Sequence, residues 1–131
     1  FRDPGVPRCY AIALPHQVSR GGQYDAYADI STWPRRKVRG QVHFRLSHRL
    51  SPAGTIRLSV GREQFELTGG GNDAWAVDER MDAAIVAAMR SASAMVLRAR
   101  SSEGRVFSES YRLEGVASAI DSASVACAHL R

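Results

Sequence analysis

Hydrophobic and polar residues alternate along most of this chain, which is the pattern of half-buried β-strands. The segment 38–47 shows it most clearly, because Val42, Phe44 and Leu46 share one face while polar side chains occupy the other. The alternation predicts strands at 9–14, 38–47, 55–60, 64–68, 95–101 and 106–113. Gly61 lies between two of these strands, which therefore form a predicted β-hairpin.

Two other segments follow a helical period of 3.6 residues. The first helix is predicted at 79–91, after the N-cap candidate Asp78, and the second at 116–129. Their apolar faces comprise Met81, Ala84, Ile85, Ala88 and Met89 in the first helix, and Val116, Ile120, Ala123, Cys127 and Leu130 in the second. We therefore predict one mainly β domain, 1–131, with antiparallel β-sandwich-like sheets, one inserted helix and one C-terminal helix.

Composition and charge narrow the class of protein. The chain has 131 residues, of which 44% are hydrophobic and 24% charged, as in a globular domain, and no apolar run is long enough to span a bilayer. It begins at Phe1 instead of Met, from which we expect that a leader peptide has been removed. Lys37 is the only lysine among 18 basic residues, and the formal net charge is +5. Because the arginines are scattered along the chain, they predict a solvated surface and no nucleic-acid partner.

The two cysteines lie near opposite ends of the chain, Cys9 in the first predicted strand and Cys127 on the apolar face of the last helix. They are either free buried thiols, the usual state in the cytosol, or a disulfide. A disulfide would close nearly the whole chain into a loop and stabilise it by about 4–5 kcal/mol on the chain-entropy model. We favour the disulfide, which predicts an oxidising compartment.

Three consecutive glycines at 69–71, between a predicted strand and a predicted helix, raise the question of a phosphate-binding loop. Such a loop presents its N–H groups directly at a helix N-terminus and ends in Gly-Lys-Ser/Thr or in a third spaced glycine. Here neither motif is present, and six residues separate Gly71 from Asp78. We therefore expect the glycines to be a mobile link, Trp75 to be a core anchor, and no cofactor to be bound.

The sequence predicts no metal site and no catalytic constellation. Metal-binding spacings such as H-x-x-x-H or C-x-x-C are missing from it, and the histidines are isolated from one another. They are expected to be surface residues: His16, His43, His48 and His129. No serine lies in a G-x-S-x-G motif, so we expect no enzyme.

One carboxylate conflicts with the strand pattern. Glu109 shares the apolar face of its predicted strand with Phe107 and Tyr111. It is either a carboxylate with a raised pKa or one half of a structural ion pair with an arginine of the neighbouring strand. We favour the ion pair, with Arg98 or Arg100 as the partner.

Aromatic and basic residues are interleaved in 24–40, which makes this segment the best candidate for a binding surface. Its members are Tyr24, Tyr27, Trp33, Arg35, Arg36, Lys37 and Arg39. Aromatic side chains could stack on an anionic polymer while the basic ones neutralise it. The alternative, which we favour, is the start of a strand whose arginines are solvated and whose aromatics point inward.

Several blocks together resemble the invasion-associated locus B family of bacterial envelope proteins. The blocks are FEL at 65–67, AWAVD at 74–78, DAAIVAAMR at 82–90, SYRLEG at 110–115 and AC at 126–127. Val116 and residues 16–37 depart from the family pattern. The resemblance implies a β-rich protein of the periplasm or of the secreted fraction, with a removed signal peptide, no established enzymatic activity, and an association with host-cell invasion in some members.

These observations lead to one main functional hypothesis and two alternatives. The main one is an exported, non-enzymatic binding protein whose partner is an unidentified envelope protein or polymer. One alternative is a hydrolase acting on envelope polymers, with Glu109 and a histidine in a cleft. The other is a basic surface at residues 35–39 that binds an anionic polysaccharide or another polyanion.

Overall fold

The computed structural model describes residues 2–3, 8–33 and 38–128. Its strands are β1 Arg2–Asp3, β2 Arg8–Ala13, β3 Gln17–Val18, β4 Tyr27–Trp33, β5 Val38–Arg45, β6 Ile56–Val60, β7 Glu63–Gly70, β8 Asp73–Trp75, β9 Ala94–Arg100 and β10 Val106–Arg112. Its helices are α1 Glu79–Ser91 and α2 Val116–Ala128. The strands follow the order β1-β2-β4-β5-β8-β7-β6-β9-β10-β3, and every neighbouring pair is antiparallel. The predicted fold class, mainly antiparallel β with an inserted and a C-terminal helix, is confirmed.

Strand β7 divides the strands into two halves. Its residues 63–67 pair with β6, whereas its residues 68–70 pair with β8. We call β1, β2, β4, β5 and β8 sheet A, and β6, β9, β10 and β3 sheet B. The inner faces of the two sheets meet, since Phe44 of sheet A packs edge-on against Tyr111 of sheet B with ring centroids 6.0 Å apart.

The glycine run forms the joint between the two sheets, and it is not the mobile link that the sequence predicted. Gly69 and Gly70 belong to β7, and Gly71 takes a φ of +62° in the turn that leads into β8. A Cβ atom at Gly69 would collide with the carbonyl oxygen of Asp73. Gly69 is therefore required by the close approach of two paired strands, and Gly71 suits its position because of its positive φ.

The core lies between the sheets and under the helices, as the alternation predicted. Val42, Phe44 and Leu46 are all fully buried. Helix α1 packs against β5, β6 and β7, and α2 packs against β2 and β4. Helix α1 has the predicted bounds and begins after Asp78, whose carboxylate accepts a hydrogen bond from the Met81 amide at 2.8 Å. Ala84 is exposed, so its assignment to the buried face of α1 was wrong.

The predicted disulfide is confirmed. Cys9 of β2 and Cys127 of α2 are bonded, with Cα atoms 5.6 Å apart and a sequence separation of 118. Both side chains are buried beside Ala123, so the bond joins α2 to sheet A. Ile120 and Ala123 also face inward as predicted, whereas Leu130 and the last predicted helical residue, 129, lie outside the described residues. In the described part of the chain, neither helix has the length and apolar character to cross a membrane.

Candidate functional site: a histidine between two aspartates on sheet A

Three neighbouring strands place a polar cluster on the face of sheet A that lies opposite the core. Asp29 of β4 is the register partner of His43 on β5, and Arg45 of β5 is the partner of Asp73 on β8. Side chains alternate between the two faces of a strand, so the apolar neighbours of these residues fill the core. Those neighbours are Ala28, Ile30, Val42, Phe44 and Ala74.

The His43 ring is held by a carboxylate at each nitrogen. Nδ1 lies 2.8 Å from Oδ2 of Asp29, and Nε2 lies 2.8 Å from Oδ1 of Asp73, so each nitrogen is within hydrogen-bond distance of a carboxylate. Asp29 is only 4% exposed, and its other oxygen accepts a hydrogen bond from Ser31 Oγ at 2.9 Å. The Nε atom of Arg45 lies 2.9 Å from Asp73 as an ion pair whose angle is too bent for a hydrogen bond.

This environment favours the charged imidazolium form of His43. Partial burial of the ring lowers its pKa, but the hydrogen bonds and charges of Asp29 and Asp73 together outweigh burial and raise the pKa above 6.5. Among the described side chains of the cluster, the carboxylates of Asp29 and Asp73 then face two cations, His43 and Arg45.

Aromatic and aliphatic side chains surround the cluster. The Trp75 ring lies 5.5 Å from the His43 ring, and the Tyr27 ring meets it edge-on at 6.0 Å. Ile12 of β2 pairs with Asp29 in register and is 42% exposed, and Trp75 is 37% exposed. We call Ile12, Tyr27, Asp29, His43, Arg45, Asp73 and Trp75 the His43 surface. Trp75 is therefore part of this surface and not the core anchor that the sequence predicted.

The cluster does not have the arrangement of a serine–histidine–acid triad. Ser31 bonds to Asp29 and not to His43, so the order of groups differs from that of a serine–histidine–acid triad. Both nitrogens of His43 face carboxylates, which leaves no free ring nitrogen to act as a base. Among the described residues, no group of three or more histidine, cysteine, aspartate or glutamate side chains could hold a metal ion.

Glu109, the second candidate, lies in the core and is fully buried. Its Oε2 atom accepts hydrogen bonds from the Ser47 amide at 2.6 Å and from the Ser47 hydroxyl at 2.7 Å, whereas Oε1 has no hydrogen-bond partner among the described residues. Burial raises the pKa of this carboxyl, and the donors of Ser47 and the charge of His48 offset the rise only in part. Burial and, next, the charge of Glu109 also raise the pKa of Tyr111, and no described residue forms a hydrogen bond with its buried hydroxyl.

The predicted ion pair of Glu109 with an arginine of β9 was wrong. Glu109 is the register partner of Leu97, and both side chains face the core. Arg98 and Arg100 occupy the alternate positions of β9 and are exposed on the opposite face of sheet B. The register therefore places the arginines out of reach of the carboxylate.

The hydrolase hypothesis required Glu109 and a histidine in a cleft. His48 does lie near Glu109, since its Nδ1 atom is 2.9 Å from the Ser47 hydroxyl and its ring stacks on Phe107 at 4.6 Å. Glu109 itself, however, has no exposed surface through which a substrate could reach it. Glu109 is therefore closed off from solvent in this structure, and the hydrolase alternative stays a prediction.

The described histidines are either partly buried or exposed. His43 lies on the outer face of sheet A with a side chain only 16% exposed, so it is a partly covered surface residue. His48 is half-buried and His16 is exposed. His129 lies outside the described residues.

The binding surface predicted at 24–40 is only partly described. Tyr24 is exposed, Tyr27 joins the His43 surface, and Trp33 lies at the far end of β4. Arg35, Arg36 and Lys37 lie outside the described residues, and only the backbone of Arg39 is described, in β5. The basic half of this surface stays a prediction.

Asp29, His43 and Asp73 were not recognised as a group from the sequence. The one local signal was the alternation of Tyr27, Asp29 and Ser31, which marks the outer face of a strand once that strand is known. Comparisons with protein-family models, with curated proteins and with solved structures found no match for this chain. The resemblance to the invasion-associated locus B family therefore stays a prediction from the sequence blocks.

Proposed function

We propose that this protein is an exported binding protein of the bacterial envelope and that it contacts its partner through the His43 surface. The observation that carries the proposal is the combination of exposed Trp75 and Ile12 with polar groups that already satisfy one another. Such a surface needs little reorganisation when a partner covers it, and preorganisation favours affinity.

The side chains of this surface suit a contact with another macromolecule. Trp, Tyr and Arg are the residue types that most often dominate the free energy of binding, and here Trp75, Tyr27 and Arg45 lie together. His43 is held in place between them by its two aspartates. The surface therefore combines aromatic side chains with a charged, hydrogen-bonded cluster beneath them.

Export is supported by the disulfide between Cys9 and Cys127. Disulfides that join buried elements persist in oxidising compartments such as the bacterial periplasm and are rare in the cytosol. The family resemblance points to the same compartment. The partner in this proposal is an envelope protein or polymer.

The proposal is tested by capture from an envelope extract under non-reducing conditions, with the purified full chain as bait. The Trp75→Ala variant should lose a partner that wild type retains. The matched control is Val125→Ala, which truncates an exposed apolar side chain on α2, far in sequence from the His43 surface. Equal capture by wild type and both variants would contradict the role of this surface.

A separate measurement tests export. Alkylation of thiols in intact cells, followed by mass spectrometry, should leave Cys9 and Cys127 unmodified until a reductant is added. Two modified thiols in the untreated protein would contradict the assignment to an oxidising compartment.

A further inference from the structure

We propose that sheet B carries a binding site for the phosphate or sulfate ester groups of an anionic saccharide. The site is an open depression of about 570 Å³, lined by Arg57, Arg98 and Arg100 together with Ser51 and Thr55. It lies on the other sheet from the His43 surface, and it stands whether or not the proposed function is correct.

The register of sheet B concentrates positive charge in this depression. Arg57 of β6 and Arg98 of β9 are direct cross-strand partners, which places their Cβ atoms about 5 Å apart. Arg100 lies two positions further along β9 on the same face, about 7 Å away. Gly54 lets the preceding loop approach closely, since a Cβ there would lie 3.3 Å from that of Arg100. The three arginine side chains therefore line one concave surface, where Nη1 of Arg100 donates a hydrogen bond to the Gly104 carbonyl oxygen at 2.6 Å.

In the described part of the chain, these arginines form no ion pair with a carboxylate. Within the part of the chain that the structure describes, no aspartate or glutamate forms a salt bridge with any of the three. Glu66 is the register partner of Arg57 on β7, yet it makes no ion pair with it. Like charges placed directly opposite each other destabilise a sheet. An oxyanion bound between Arg57 and Arg98 would relieve this repulsion and accept paired hydrogen bonds from both.

The remaining lining residues favour a saccharide over a nucleic acid. Binding of single-stranded nucleic acid uses aromatic side chains on which the bases stack, and none of the residues that line this depression is aromatic. The hydroxyl groups of Ser51 and Thr55 can instead pair with sugar hydroxyls. The volume is also within the range of about 300–1,000 Å³ that small-ligand sites occupy.

Calorimetric titration of the full chain with a sulfated tetrasaccharide at low salt tests the proposal. Wild type should bind, and Arg98→Gln should weaken binding about tenfold or more, because one charge-assisted contact is lost. The matched control is Arg80→Gln on α1, which removes the same charge from an exposed position away from the depression and should change affinity less than twofold. Trp75→Ala should bind the tetrasaccharide like wild type, which separates this site from the His43 surface.

Three further ligands define the chemistry of the site. The desulfated tetrasaccharide should not bind. Because the site accepts phosphate as well as sulfate esters, a sugar phosphate should compete with the sulfated tetrasaccharide. A single-stranded oligonucleotide of equal charge should bind more weakly than the tetrasaccharide. The proposal is overturned if wild type does not bind, if Arg98→Gln and Arg80→Gln lose affinity equally, or if the oligonucleotide binds more tightly. Thermal unfolding of Arg98→Gln at or above the wild-type midpoint confirms that any loss is not misfolding.

Discussion

Replacing Glu109 with glutamine should change how the stability of this protein depends on pH. The glutamine keeps a carbonyl oxygen that can accept the two hydrogen bonds from Ser47, but it has no charge to bury. In wild type, the folded protein must either hold a proton on Glu109 or bury a carboxylate whose Oε1 atom has no donor. Either state makes the stability of wild type depend on pH, whereas the uncharged glutamine does not titrate.

The sign follows from the direction of the pKa shift. Because burial raises the pKa of Glu109 above 4.5 in the folded protein, the folded state binds more protons than the unfolded state between the two pKa values. The contribution of Glu109 to stability is therefore fully present below pH 4.5 and is lost as the pH rises through the folded pKa. For one proton, the loss has a limiting slope of about 1.4 kcal/mol per pH unit.

The assay is urea unfolding of wild type and Glu109→Gln between pH 4 and pH 8, with the disulfide intact. The difference in unfolding free energy should shift in favour of the variant as the pH rises and should become constant above the folded pKa. Glu103→Gln makes the same chemical change in the exposed turn after β9 and should alter stability by less than about 0.5 kcal/mol. A difference between wild type and Glu109→Gln that stays constant across the whole pH range would refute the reasoning.

Three other predictions concern the disulfide, the His43 surface and the glycine joint. Replacing Cys9 and Cys127 with serine should lower the unfolding free energy by about 4–5 kcal/mol in non-reducing urea melts, and a loss under about 1 kcal/mol would contradict it. Since the pKa of His43 is raised, its contribution to stability is fully present below pH 6.5 and is lost as the pH rises through the folded pKa. The unfolding free energy of wild type should therefore exceed that of His43→Gln by an amount that shrinks with rising pH, at up to about 1.4 kcal/mol per pH unit. A difference that grows with pH would refute this. Gly69→Ala should destabilise the fold by about 1–3 kcal/mol in thermal melts, whereas Gly70→Ala, where a Cβ has open space, should cost less; equal losses would argue against the close approach.

The elements that could be predicted were those specified by residues close together in the chain. Helix α1 has the predicted bounds because its N-cap residue Asp78 and its apolar period are local features. The hairpin of β6 and β7 was also recognised, because Gly61, with a φ of +58°, supplies its turn.

Strand β4 was not predicted because its polar residues interrupt the alternation of apolar and polar positions. Asp29 and Ser31 are buried in the strand, a position where sequence patterns predict apolar side chains. Their burial is tolerated because they bond to each other and because β5 brings His43 to Asp29. That contact is invisible until the pairing of β4 with β5 is known.

The error over Glu109 has a related origin. The sequence placed Glu109 and the arginines on adjacent strands, which is correct. The sequence did not reveal the register in which the two strands pair. Because Glu109 lies opposite Leu97, the arginines face away from the core. A shift of one residue would reverse the face on which each side chain lies.

The sequence alone determined which segments are helices and most of the strands, and that the two cysteines lie on apolar positions suited to a bond. These properties depend on neighbours a few residues apart and on side-chain periodicity. Only the tertiary structure decided that His43 meets Asp29 and Asp73, which are 14 and 30 positions away, and that Arg57 meets Arg98. Such contacts arise from strand pairing and register, which many distant residues fix together.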